Sequence, residues 1–230
     1  MRVLGLDTST AIASAGLAID GLPLLERHRA VASSHARSVL PLIDEVLDAA
    51  GLRLADVDRL AVSIGPGSFT GLRIGLATIK GLALGCGLPV TGVPTLEAFA
   101  RALGPRRGTI WPLLDARKGE VYAAAYRWSD QDLEEISAPA VVTPADLVGR
   151  LASPSTLIGD GADAYAELWP AGEYIERIPL ADLAPNGATV ATVGTGRAVV
   201  ALHELEPRYC RPSEAEVRRQ RAVATAVSAR

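Results

Sequence analysis

The stretch Ser63-Ile64-Gly65-Pro66-Gly67-Ser68-Phe69-Thr70-Gly71-Leu72-Arg73-Ile74-Gly75 decides how this chain is read. It follows an apolar strand-like run, Leu60 to Ile64, and feeds a long apolar segment, Leu72 to Leu84. Strand, glycine-rich turn and helix in that order can turn backbone N–H groups toward an anion. Two readings compete. Either the turn binds phosphate, or its glycines let a helix pack unusually close to something.

The phosphate reading meets obstacles in the residues. A Walker-type loop ends in Gly-Lys-Ser/Thr, whereas Gly71 is followed by Leu72 and Arg73. In the dinucleotide pattern Gly65 and Gly67 fit, but Thr70 holds the third glycine's place. Ser68 lacks the G-x-S-x-G setting of a nucleophile, because Pro66 precedes Gly67.

The packing reading predicts a helix from about Phe69 to Leu84. Gly71, Gly75 and Thr78 fall on one line, Ala77, Gly81 and Gly85 on another, and Leu72, Leu76, Ile79 and Ala83 on a third. Arg73 and Lys80 are the only charges of this helix and share one stripe. A helix apolar or small almost all round must be covered on most sides. Glycine costs about 1 kcal/mol per helical site, so several of them argue for close backbone approach. The cover is either the rest of its own domain or a partner subunit.

Working outward, the chain has a repeated β/α rhythm. Arg2 to Leu6 reads as a buried strand and Ala13 to Ile19 as a second. Asp20-Gly21 turns the chain back through Leu24 to Arg29. Ser33 or Ser34 can cap a helix to Ala50, stopped at Gly51, with Pro41 in its first turn or at a kink. After the glycine-rich helix come a short strand, Leu88 to Thr91, and a helix from Pro94 to about Leu103. Gly104 to Gly108 reads as a linker. Beyond it, strands at Thr109–Leu114 and Val121–Arg127 flank the turn Asp115 to Glu120. Thr143 starts a helix, Gly159-Asp160-Gly161 precedes another, and Val190 to Leu205 is expected as a last long helix. No short repeat is evident in the sequence.

Three strands, then helix, strand and helix, open one half of an actin-like, sugar-kinase-like ATPase fold (ribonuclease H-like, ASKHA). The expected architecture is α/β, two lobes with mixed sheets flanked by helices. Residues 1–104 would form the first lobe, carrying dimerisation. Residues 105–211 would form the second, with its last helix able to pack back on the first. Residues 212–230 are expected to be a disordered tail. In this superfamily the first hairpin usually carries Asp-x-Gly for nucleotide phosphates. Here it reads Asp7-Thr8-Ser9, and a serine hinders the close approach a glycine allows. Asp7 is then either a phosphate-site residue or a turn residue bonding its own backbone.

Composition bounds the rest. The chain has 230 residues, 49% of them hydrophobic, enough for a substantial core. A net charge of −3 gives no strong field for nucleic acid. Cys86 and Cys210 resemble neither a metal nor a disulfide framework, and a reducing cytoplasm is the simple reading. The N-terminus turns polar too soon for a signal peptide. Gly81 to Leu96 is uncharged, but Pro89, Pro94 and several glycines interrupt it, so no membrane span is expected there.

The motifs Leu6 to Thr10, Ser34 to Pro41, Gly65 to Gly75, Asp115 to Tyr122 and Glu206 to Tyr209 together resemble the TsaB (YeaZ) family from Met1 to about Arg211. The resemblance implies a non-catalytic subunit of the bacterial machinery that makes N6-threonylcarbamoyladenosine in tRNA. Its implied partners are a catalytic TsaD-like subunit, met through the N-terminal lobe, and a small TsaE-like ATPase. A homodimer forms when it is alone, and tRNA is reached indirectly. It implies no cofactor of its own, with ATP or ADP at the shared interface of the complex. On this reading the partner interface comprises Gly71, Leu72, Ile74, Gly75, Leu76, Thr78, Ile79 and Leu82. Gly75→Leu is expected to block dimerisation and leave the monomer folded.

The family also carries an old glycoprotease label, inherited from its catalytic relative, whose metal sits on His-x-x-x-His. Here His35 is followed four residues later by Val39, which cannot ligate. With His28 and His203 elsewhere, no metal site and no catalytic residue is expected. Asp7, Thr8, Ser9, Arg117 and Lys118 remain candidates for nucleotide or tRNA contact. Arg117 and Lys118 suit phosphate and Glu120 does not. Alternatively this turn is a solvated hairpin. The Arg-rich tail from Arg208 can contact tRNA through salt-sensitive phosphate contacts. A nucleotide-dependent kinase or ATPase, using Asp7, Asp115 or Asp160, is the competing class.

Overall fold

The computed structural model describes the chain except residues 32–34, 131, 171, 173, 181–182, 184–186 and 212–230. The expected Ser33 or Ser34 cap and the tail lie outside the described residues.

The opening apolar run forms β1 (Arg2–Asp7). Asp20 and Gly21 both take positive φ, the two-residue turn that matches strand twist, and return β2 (Ile12–Ile19) into β3 (Leu22–Ala30). α1 (His35–Ala50) buries Val39, Leu42, Ile43, Val46 and Leu47. Pro41 lies in its second turn on the exposed side. Then come β4 (Arg59–Gly65), α2 (Phe69–Cys86), β5 (Val90–Pro94) and α3 (Thr95–Ala102). The sheet order is β3-β2-β1-β4-β5, with β1 to β3 antiparallel and β4 and β5 parallel to β1.

The second half repeats this plan. β6 (Thr109–Arg117), β7 (Glu120–Trp128) and β8 (Leu133–Val142) are antiparallel. α4 (Pro144–Val148) follows, then β9 (Ser155–Ile158), α5 (Asp160–Ala164), β10 (Ile175–Ile178) and α6 (Gly187–Gly196). The order is β8-β7-β6-β9-β10, with β9 parallel to β6 and β10 to β9. The repeat invisible in the residues is therefore present in the topology. Two such units make the actin-like fold.

The last helix differs from its expected span. It starts at Gly187 and ends at Gly196 instead of running from Val190 to Leu205. Its first turn needs a notch in the first sheet. Gly5 and Gly16 pair across β1 and β2. A methyl on Gly5 would stand 2.2 Å from the Gly187 carbonyl oxygen, and one on Gly16 2.2 Å from the Ala188 nitrogen. Ser14 Oγ accepts from the Gly187 N–H at 2.9 Å, and Arg59 donates to the Gly194 and Arg197 carbonyls at 2.9 and 2.8 Å, so a side chain of the first sheet meets each helix end.

α3 turns the other way. Leu96, Phe99 and Ala100 join Ile110, Leu114 and Tyr126 of the second sheet in one core, while Ala98 meets Val190 and Ala191 of α6. The two lobes thus exchange covering helices.

β8 and β10 were not expected as strands. Both are edges. β8 is mostly exposed and contains Pro139, which an edge tolerates, and β10 has only four residues.

Candidate interaction face and interlobe cleft

The turn after β1 is closed by its own hydrogen bonds. Asp7 is 1% exposed. Its Oδ1 accepts from the Ser9 N–H and the Ser9 hydroxyl at 2.8 Å each, and its Oδ2 from the Ser63 hydroxyl. This is the turn-residue reading of Asp7. The Ser9 carbonyl accepts from the Ser68 N–H at 2.7 Å, the amide that a glycine-rich loop would turn to an anion. Gly67 lets this happen: at φ 155°, a methyl there would sit 2.5 Å from that same carbonyl. Ser68 Oγ then accepts from the Gly71 N–H at 3.2 Å and caps α2.

Thr8 is fully buried and donates to the Gly71 carbonyl at 2.8 Å. A methyl on Gly71 would meet the Thr8 carbonyl at 2.0 Å, and one on Gly75 the Thr8 hydroxyl at 2.2 Å. For Gly71 and Gly75 the packing reading holds, and what they pack against is the chain's own first turn, whereas a methyl on Gly81 or Gly85 would meet nothing within 4 Å. Asp7 and Thr8, candidates for nucleotide or tRNA contact, are buried and held by internal partners. Only Ser9 reaches the cleft described below.

The interface expectation changes in the same way. Gly71, Leu72, Gly75, Leu76 and Ile79 lie on the buried face of α2, against its own lobe. Ile74, Thr78 and Leu82 are half-buried at the border, and Thr78 donates to the Ile74 carbonyl at 2.9 Å. The outward stripe is Arg73, Ala77, Gly81, Leu84 and Gly85, with Leu84 77% exposed. By length and composition alone α2 could cross a membrane. In the fold its inner face is the roof of the first sheet.

Between the lobes runs a cleft of about 540 Å³. The first lobe lines it with Ser9, Thr10, Ser68 and Thr70, the second with Asp115, Arg117, Tyr122 and Asp160. Asp160 Oδ1 accepts from the Asp115 N–H at 3.0 Å. Burial pushes the Asp160 carboxyl above the usual range, against the pull of that hydrogen bond. Asp115 accepts from the Arg117 N–H at 2.8 Å and from the Tyr165 hydroxyl at 3.3 Å, and pairs with the Arg117 guanidinium at 3.0 Å. Arg117, Lys118 and Gly119 all take positive φ, which turns Arg117 outward, 85% exposed. The structure therefore brings Ser9, Arg117, Asp115 and Asp160 to one cleft and leaves Asp7 and Thr8 behind it.

A segment that sequence reasoning used only as a motif crosses this region. Leu205 packs in the first core, and the Arg208 N–H donates to the Ile64 carbonyl at 2.6 Å. The Tyr209 ring stacks on Phe69 with centroids 5.2 Å apart, and the Arg73 guanidinium lies 3.9 Å from the Phe69 ring centre. Arg73 Nε donates to the Tyr209 hydroxyl at 3.1 Å. Arg211 pairs with Glu120 and reaches the Ala116 carbonyl at 3.4 Å, in the second lobe. The only signal for this strap in the sequence is Glu206-Pro207-Arg208-Tyr209.

Among the described residues, no three His, Cys, Asp or Glu side chains gather as a metal site. His28 lies on β3 and Val39 is core.

Comparison with known proteins bears on all of this. The family model described as TsaD, tRNA N6-adenosine threonylcarbamoyltransferase, matches residues 29–202. The TsaB protein of Escherichia coli, named for tRNA threonylcarbamoyladenosine biosynthesis, is 32% identical over 92% of this chain and 95% of its own. The chain belongs to the TsaB (YeaZ) family. TsaB of Bacillus subtilis is 27% identical over 95% of this chain and 97% of its own. The solved structure of YeaZ from Pseudomonas aeruginosa aligns with a TM-score of 0.75 at 29% identity, covering 90% of this chain and 99% of that one. The TsaB resemblance in the motifs thus extends to the whole fold.

Proposed function

We propose that this chain is a non-catalytic docking and activating subunit for N6-threonylcarbamoyladenosine modification of tRNA. It pairs with a TsaD-like catalytic subunit through the outer side of α2. A TsaE-like ATPase joins the pair, the free chain pairs with itself, and tRNA is met through the complex. ATP or ADP belongs to the shared interface of the complex and not to this chain's own cleft. The names of the TsaB relatives and the TsaD family match support the process.

One observation carries the subunit role. The amide of Ser68, where a phosphate would sit, is taken by the Ser9 carbonyl at 2.7 Å. The same helix leaves Arg73, Ala77, Gly81 and Leu84 uncovered. A chain that fills its own anion site and exposes an apolar helix stripe is built to bind a protein surface rather than turn over nucleotide. The test is co-purification with the same organism's TsaD-like subunit, then tRNA modification with and without this chain. Binding, and modification that needs this chain, are the expected results. No binding, together with ATP hydrolysis by this chain alone, would overturn the reading.

A further inference from the structure

A second cavity, of about 660 Å³, opens where the two lobes share their covering helices. Pro23 of β3, Thr192 and Val193 of α6, Glu97 and Arg101 of α3, and Trp128 at the end of β7 line it. None of its residues belongs to α2 or to the interlobe cleft.

Three polar atoms of this lining are unpaired. Trp128 Nε1, Arg197 Nε and Thr192 Oγ1 are buried and find no hydrogen-bond partner among the described residues. Seven buried side-chain atoms in the described residues lack a partner, and three of them fall on this one cavity. Folded interiors hold few such atoms, because an unpaired buried donor or acceptor is destabilising. Their gathering at one cavity calls for an occupant that pairs them.

The charges around it are already balanced. Arg101 donates to Glu97 through Nε at 2.9 Å, and to the two oxygens of Asp132 at 2.7 and 3.3 Å. Arg197 pairs with Glu97 as well. Two guanidiniums therefore meet two carboxylates, and the hydrogen bond from Arg101 holds the Asp132 carboxyl below its usual range. The same network fixes the walls. The Arg101 guanidinium lies 5.9 Å from the Trp128 ring centre, and Arg59 holds the Arg197 carbonyl at 2.8 Å. An anion entering here would have to displace a paired carboxylate, so charge favours a neutral occupant.

We infer that this cavity binds a small neutral ligand carrying an amide edge, a carbonyl beside an N–H, on a compact apolar body. The indole N–H and the guanidinium Nε–H can only donate, so they call for a carbonyl oxygen. The carboxylate oxygens of Glu97 and Asp132 keep lone pairs and can accept the ligand N–H. The Thr192 hydroxyl serves in either sense. Pro23, Ala102 and Val193 supply apolar wall. A nucleobase with a lactam edge and an aromatic carboxamide share this chemistry, and a phosphate ester does not. The ion pairs hold the polar groups in place before the ligand arrives, which lowers the ordering cost of binding. The site is independent of the docking role proposed above.

The test uses the full chain labelled with ¹⁵N, whose three tryptophans each carry one indole N–H. Trp128→Phe, or sequential assignment, identifies the Trp128 signal. The probes are uridine and nicotinamide, with 3-methyluridine, inorganic phosphate and acetate as controls. Uridine or nicotinamide is expected to shift the Trp128 indole signal saturably, with a dissociation constant of about 1 mM or tighter. Which of the two binds tells a nucleobase site from a carboxamide site. The Trp169 signal should stay, since that N–H already donates to the Ala162 carbonyl at 2.8 Å. The control 3-methyluridine keeps both carbonyls and loses the N–H, and should bind more weakly than uridine. Thr192→Val removes an unpaired hydroxyl at nearly constant size. It should melt at or above wild type and raise the probe's dissociation constant about fivefold, the scale of one neutral hydrogen bond. No shift of the Trp128 signal by either amide probe at millimolar concentration would overturn the inference. So would equal shifts by phosphate or acetate, which mean an anion site, or unchanged probe affinity in Thr192→Val.

Discussion

The Thr8 hydroxyl donates to the carbonyl of Gly71 at 2.8 Å, inside the first lobe, and fixes the start of α2 on the turn after β1. The bond joins residues 63 positions apart. It explains why this helix tolerates glycine: the backbone of α2 comes as near to Thr8 as a missing Cβ permits.

Gly75 is the clearest consequence. Its hydrogen faces the Thr8 hydroxyl, where a methyl would stand 2.2 Å away. Gly75→Ala should destabilise the monomer by about 1–3 kcal/mol through overpacking, and Gly75→Leu by more. Thermal melting of dilute monomer checks this. A Gly75→Leu protein that melts like wild type would return Gly75 to the partner surface.

Gly81 gives the opposite result. Nothing lies within 4 Å of a methyl built there, and the position is exposed. Gly81→Leu should leave melting within about 0.5 kcal/mol of wild type, as for a surface site. Binding of the TsaD-like subunit should drop at least tenfold when measured by light scattering or calorimetry. Full-strength binding would place the interface elsewhere.

Asp7 ties the turn after β1 to β4 through the Ser63 hydroxyl. Removing its carboxylate strands the Ser63 hydroxyl, the Ser9 hydroxyl and the Ser9 amide in the core. Asp7→Ala should cost about 3 kcal/mol, the scale of a broken buried polar network, seen as a lower urea midpoint. Isothermal titration of wild type with Mg-ATP should give no heat at millimolar nucleotide. A measurable affinity would mean that the Ser9–Ser68 contact opens.

Asp160 supplies a pH test. Burial, above all, raises its carboxyl pKa above the ordinary aspartate range. A raised carboxyl pKa means that the folded chain holds the proton more tightly than the unfolded one. Its contribution is therefore lost as pH rises from the unfolded value through the folded one. Asp160→Asn keeps an oxygen for the Asp115 N–H and removes the charge. The melting temperature of this variant should match wild type near pH 3.5 and exceed it at pH 6 and above. Equal melting at every pH would show that Asp160 ionises without cost.

Much of the architecture was legible in the sequence because its cues are local. The apolar run Arg2 to Leu6, the Asp20-Gly21 turn and the glycine-rich turn with its helix are set by neighbours a few residues apart. They placed β1, β2, β3, β4 and α2. The motif at Asp115 to Tyr122 marked the second hairpin for the same reason. Which face of α2 is inner was not legible, because glycine, alanine and leucine surround the helix almost evenly and its period does not distinguish an own sheet from a foreign helix. The tertiary structure decided it through contacts between distant positions: Thr8 with Gly71 and Gly75, Ser9 with Ser68, and Tyr209 with Phe69. The same holds for α6, whose start depends on the Gly5–Gly16 notch more than 170 residues earlier. The sequence by itself determined most elements of the first lobe, the first hairpin of the second, the family resemblance and the absence of a Walker lysine after Gly71. Only the fold decided that the Ser9 carbonyl takes the Ser68 amide, since hydrogen bonds across the core are written in no local pattern.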